Sequence, residues 1–145
     1  MEAVQGNLQS KRASAEADAV MAVAVVAAVS GGRLQKRALE YLRMLAFLNA
    51  THAGIGNVDD YIGSMLETVT REGQDHILER SAIALSLPMR ERAYAWAAEI
   101  ASTYGKGHSE GHAFLERLRE RLGIDKGLAG KIDKVAEIRN RPISS

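Results

Sequence analysis

The sequence predicts an all-α fold, a single-domain bundle of about six or seven helices built from two pseudo-repeated helix hairpins. Three observations lead there. No run alternates apolar and polar residues for long enough to make a strand. Aromatics are 5% of the 145 residues and prolines number two, while alanine is abundant, a mix that suits helices packed through small side chains. Apolar residues instead return at spacings of three and four along most of the chain. The length suits one domain that buries about two-thirds of its unfolded surface.

Residues 1–13 show no periodicity and read as a flexible N-terminal tail, which leaves 14–145 as the helical domain. Ser14 has cap chemistry, and Glu16 and Asp18 favour a first turn, so a helix is expected from there to about Val29. Its stretch "AVMAVAVVAAV", Ala19 to Val29, is apolar nearly all round and should be the central, most buried helix. Lys11 and Arg12 precede it as they would in a secretory leader. Glu16 and Asp18 intervene, however, and the run is too short to cross a bilayer, so a buried helix and a cytoplasmic location are expected.

"SGG" at 30–32 should end this helix, because glycine tolerates a left-handed cap. A second helix is expected from about Leu34 to Asn49, with Leu34, Ala38, Tyr41, Leu42, Leu45 and Leu48 as its inward stripe. "NATHAGIGN" reads as a loop. Asn57 or Asp59 should start a third helix through about Arg71, with Ile62, Leu66 and Val69 inward. A fourth spans Gln74 to Leu85, using Ile77, Leu78, Ala82 and Leu85. Pro88 fits the first turn of a fifth, whose stripe is Ala93, Trp96, Ala97, Ile100 and Tyr104. A sixth should run from about Ser109 to Leu122, and Asp125 opens a last one with Leu128, Ile132, Val135 and Ile138 inward.

Two helix pairs share a plan. With Gly32 set over Gly105, Tyr41-Leu42 falls on Phe114-Leu115 and Leu45 on Leu118. Each pair is an alanine-rich helix, a glycine bend and a charged amphipathic return, so two hairpins should pack through their alanine-rich helices.

The residues that carry this plan, "AVVAAVSGGRLQKRALEYL", "RSAIALSLPMRERAYAWAAEI" and "AAEIASTYGKGHSEGHAFLERLRERLGID", together resemble the TerB-like tellurite-resistance family over roughly Glu16 to Asp125. The resemblance implies an all-helical, generally non-enzymatic protein tied to bacterial tellurite and stress-response systems, with an acidic metal-binding surface suggested for its members. Those members usually carry Asp-Gly at each bend, with a glutamate five residues after that glycine. Here the bends read Gly31-Gly32 and Tyr104-Gly105, the glutamate positions are Arg37 and Glu110, and only Glu110 keeps the acidic pattern. Calcium needs six to eight oxygen ligands, which this remnant does not supply, so no metal function is carried over and no cofactor is expected.

The stretch "YGKGHSEGH", Tyr104 to His112, offers the remaining chemistry. Its glycines nearly spell a nucleotide fingerprint, but the spacing is one residue too long and a helix precedes it in place of a strand. His108 and His112, four apart, would share a helix face and provide two of the four ligands of a tetrahedral metal site. Glu110 lies on the face away from His108, and His52 or His76 could contribute only if folding brought them close. The simpler reading is a glycine bend with Ser109 or His108 as cap.

No Ser-His-Asp or paired-carboxylate constellation stands out, so no enzyme activity is expected. The absence of cysteine excludes disulfides and thiol catalysis. Net charge is +1, which gives no overall field toward nucleic acid or membrane. The C-terminal quarter is locally basic, from Arg117 to Arg141, but Glu116, Glu120, Asp125, Asp133 and Glu137 are interspersed. The expected role is an adaptor or stress-response module that binds a protein partner, with a homo-oligomer left open. Metal binding or sensing through His108 and His112, and weak nucleic-acid binding through the basic segment, are the alternatives.

Overall fold

A computed structural model describes residues 2–53, 56–104 and 109–143, with side chains from 11 to 49, 56 to 104 and 110 to 143. Among the described residues there are seven α-helices and no strand. They are α1 (Glu2–Val29), α2 (Lys36–Ala53), α3 (Val58–Glu72), α4 (Gln74–Ala84), α5 (Leu87–Ala101), α6 (Ser109–Leu122) and α7 (Lys126–Arg139). A 3₁₀ turn over Ser102–Tyr104 follows α5.

The all-apolar helix is central, as its pattern required. Val23 to Ala28 have no exposed surface, and α1 packs against α2, α3, α4 and α5. Alanines crowd the buried faces of α1 and α5: Ala24, Ala27, Ala93, Ala97 and Ala98 are all fully buried. Small side chains let the two backbones approach closely, so this interface depends on what is missing from it. The hairpins α1–α2 and α5–α6 thus pack through α1 and α5. Leu42 and Leu115 are both buried, as are Leu45 and Leu118, while Tyr41 is half-buried where its counterpart Phe114 is fully so.

Local chemistry accounts for several helix ends. Asn57 caps α3, its side chain accepting from the Asp60 amide at 3.0 Å, and Asp125 caps α7 by accepting from Leu128 at 3.0 Å. Gly32 and Gly123 take positive φ where α1 and α6 end. Pro88 occupies the first turn of α5.

Four expectations are corrected. The first helix begins at Glu2, not Ser14: 2–13 lack an apolar stripe but hold mostly helix formers and no proline. Asn49 to Ala53 continue α2 in place of a loop, since no helix breaker occurs before Gly54. Leu48 is 52% exposed, because the buried face of α2 follows Ala38, Leu42, Leu45, Ala46 and Asn49. In α7 the buried positions are Ala129 and Ala136, which leaves Val135 and Ile138 facing out at 55% and 46% exposure.

Candidate functional site

The four tyrosines place their hydroxyls on partners in other helices. Tyr61 donates to Asp18 at 2.6 Å, Tyr94 to Asp133 at 2.7 Å, Tyr41 to Glu99 at 3.0 Å, and Tyr104 to the carbonyl of Ala28. Burial pushes the pKa of each hydroxyl up, and for Tyr61, Tyr94 and Tyr41 the facing carboxylate adds to that. For Tyr104 the Gly31 backbone opposes the rise.

These bonds fix the directions of three helices. Tyr41 meets Glu99 while Asn49 accepts from Arg92 at 3.1 Å, so α2 runs antiparallel to α5. Tyr94 meets Asp133 and Asn140 donates to Glu99 at 3.2 Å, so α7 runs parallel to α5. Both helices pack on α5 and leave a groove between them. It closes at one end, where Asn140 Oδ1 lies 3.1 Å from the Tyr41 hydroxyl.

The groove encloses about 440 Å³. Ala95 and the half-buried Trp96 line its α5 side, Tyr41 and Met44 its α2 wall, and Ile132, Val135 and Ala136 its α7 wall. Three cations border it: Arg92, Lys131 and Arg139. The single acid is Glu99, buried at 6% exposure. Its Oε1 accepts from Tyr41 and Asn140 and lies 3.5 Å from Arg139 Nε. With three donors converging on one oxygen, Glu99 serves to anchor α2, α5 and α7 to one another.

A second cavity of about 670 Å³ lies between α6, α7 and the end of α5. His112, exposed on α6, lines it together with Asp133, Gly111 and Gly130. Burial raises the Asp133 carboxyl above the usual range; the Tyr94 hydroxyl and His112 oppose this and Glu116 adds to it. Ser102 and Thr103 line it too, but donate back to Ala98 at 2.8 Å and Ile100 at 2.6 Å. Their hydroxyls thus serve the end of α5.

Of the metal candidates, His112 is placed as above, whereas His108 lies outside the described residues, as does the bend it follows. Glu110 is exposed in the first turn of α6. His76 is exposed on α4 with its Nε2 3.6 Å from Glu72, and the side chain of His52 is outside the described set. Among the described residues no group of three or more His, Asp or Glu could hold a metal ion. The basic C-terminal segment is partly neutralised by ion pairs, Arg119 with Glu116 at 3.1 Å, Arg121 with Asp75 at 3.1 Å and Lys134 with Glu137 at 4.0 Å.

Sequence reasoning placed Trp96 in a core stripe and passed over Glu99. The signal was a glutamate inside the alanine-rich run "WAAEIA", where a charge is costly unless several donors meet it. No helix of the described residues is long and apolar enough to cross a membrane. The chain matches no protein-family model, no curated protein and no solved structure.

Proposed function

We propose that this chain is a non-enzymatic helical adaptor of the TerB-like, stress-response kind that works in the cytoplasm by binding a protein partner. The observation that carries the reading is the groove between α2, α5 and α7. Its apolar floor is bordered by exposed Met44 and Val135, at 49% and 55%, and Leu48 and Ile138 extend the apolar surface along the same two helices. Large apolar side chains gathered beside an open groove are what a protein interface uses. The alanine-rich hairpins, with Gly32 and Gly105 at corresponding places in the sequence, are what the kinship is drawn from. With three of the four acidic positions replaced, the working surface is taken to be protein-binding, not metal-binding.

A photo-crosslinking amino acid at exposed Leu48, one turn along α2 from Met44 of the groove wall, tests this in the cells that make the protein. A defined adduct is expected from position 48, lost when Val135→Glu is added, with none from the same probe at exposed Glu79. Equal adducts from 48 and 79, or none from 48, would remove the reading.

A further inference from the structure

We infer that the groove takes an acidic amphipathic helix of the partner, laid on α5 between α2 and α7; this rests on the reading that the groove binds a protein. Two walls made of helices, with a floor made of a third, leave the space another helix fills in a bundle. Each wall presents apolar side chains at helical spacing, Tyr41 and Met44 on α2, and Ile132, Val135 and Ala136 on α7. From Lys131 to Arg139 the α7 wall rises about 12 Å, room for roughly two turns of a guest helix with anchors at i, i+3 or i+4, and i+7.

Charge selects the guest. Arg92 lies at the end away from Asn140, and Lys131 lies at that same end because α7 runs parallel to α5. Among the described residues Lys131 has no ion pair, and Arg92 donates to the neutral amide of Asn49. The one acid of the groove, Glu99, is already held by Tyr41, Asn140 and Arg139 at the closed end. The groove therefore offers an excess of cations beside an apolar floor, and carboxylates flanking an apolar stripe complement it. A second copy docking face to face about a two-fold axis would set these cations against themselves, which disfavours that occupant.

Trp96 is the only tryptophan in the chain and lines the groove, so its fluorescence reports occupancy directly. The probe is a synthetic peptide of about four helical turns, leucines at spacings of three and four and glutamates on the flanking positions. Two controls are a peptide with lysine for every glutamate and one with the leucines shuffled out of register.

The acidic peptide is expected to shift Trp96 emission saturably, with affinity that weakens as salt is added. Lys131→Glu and Val135→Glu should each raise its Kd roughly tenfold or more, and neither control should bind comparably. Equal binding of the lysine peptide, or none of the acidic one, overturns the inference. A shift that grows with protein concentration alone, alongside a dimer in sedimentation, overturns it in favour of a second copy. If crosslinking at Leu48 succeeds while the acidic peptide fails, only the helix assignment falls. If the peptide binds but no adduct forms in cells, the functional reading falls instead.

Discussion

The ring of Tyr104 lies against the backbone of Gly31, so closely that a Cβ there would meet Cε1 at 3.2 Å. These are the two positions where the family resemblance leads one to expect aspartates. Position 104 holds an aromatic ring and position 31 has no side chain at all. The ring is held in place because its hydroxyl donates to the Ala28 carbonyl at the end of α1. The two residues fit each other as one contact between the hairpins.

Gly31→Ala should therefore destabilise the protein by about 1–2 kcal/mol, since an anchored ring cannot yield the few tenths of an ångström required. Gly31→Asp should cost more. With Tyr104→Leu in place, the cost of Gly31→Ala should shrink by about 1 kcal/mol, which a double-mutant cycle in urea measures. Additive effects would show that the ring does not limit position 31.

Glu99 anchors three helices through one oxygen, and Tyr41 is the donor that brings in α2. Tyr41→Phe removes that bond and leaves the carboxylate with Asn140 and Arg139. A loss of about 1.5 kcal/mol in denaturant unfolding is expected. A change below about 0.5 kcal/mol would mean that the remaining donors suffice.

Much of this architecture was legible because it rests on periodicity. Ala19 to Ala28 of the apolar run of α1, and Ile77, Leu78, Ala82 and Leu85 of α4 and its cap, are buried as the sequence pattern required. The two misread stripes share one cause: a stripe is a band, and its centre is set by what the helix packs on. Alanines 129 and 136 take the buried face of α7 because α5 approaches closely there, which turns Val135 and Ile138 outward. Leu48 is displaced by Ala46 and Asn49 in the same way. The groove was invisible for that reason, since Tyr41, Ile132 and Val135 of its walls sat in stripes that read as core. Glu99 and Tyr41 lie 58 residues apart, and no local spacing joins them.

The buried alanines and the exposed apolar side chains should respond in opposite ways to substitution. Ala97→Leu forces a large side chain into the α1–α5 contact and should cost about 3 kcal/mol or more. Val135→Glu changes an outward residue and should move stability by no more than about 0.5 kcal/mol. Thermal unfolding of both variants decides it. A large loss in Val135→Glu would mean that this side chain belongs to the core.

His112 faces Asp133 across the second cavity, and Tyr94 already uses Asp133 Oδ1. Calorimetric titration with zinc, nickel, calcium and magnesium is expected to show no stoichiometric micromolar binding that depends on His112. Zinc or nickel heat abolished by His112→Ala would establish a metal site there.

Asp133 should make stability depend on pH in a direction that can be stated beforehand. Burial raises its carboxyl in the folded protein, with Tyr94 and His112 opposing and Glu116 reinforcing that shift. The folded state thus favours the protonated acid more than the unfolded chain does. Stability from this group is present below the ordinary aspartate titration, about pH 4, and is lost as pH rises through the raised value. Asp133→Asn cannot titrate, so the stability of the Asn variant relative to its parent should improve as pH climbs from about 4 toward neutrality. The slope carries the prediction, because the lost hydrogen bond from Tyr94 shifts only the offset. Running both proteins with His112→Gln removes the neighbouring imidazole, and urea unfolding across the series gives the difference. A flat or falling difference would show that folding does not raise this carboxyl.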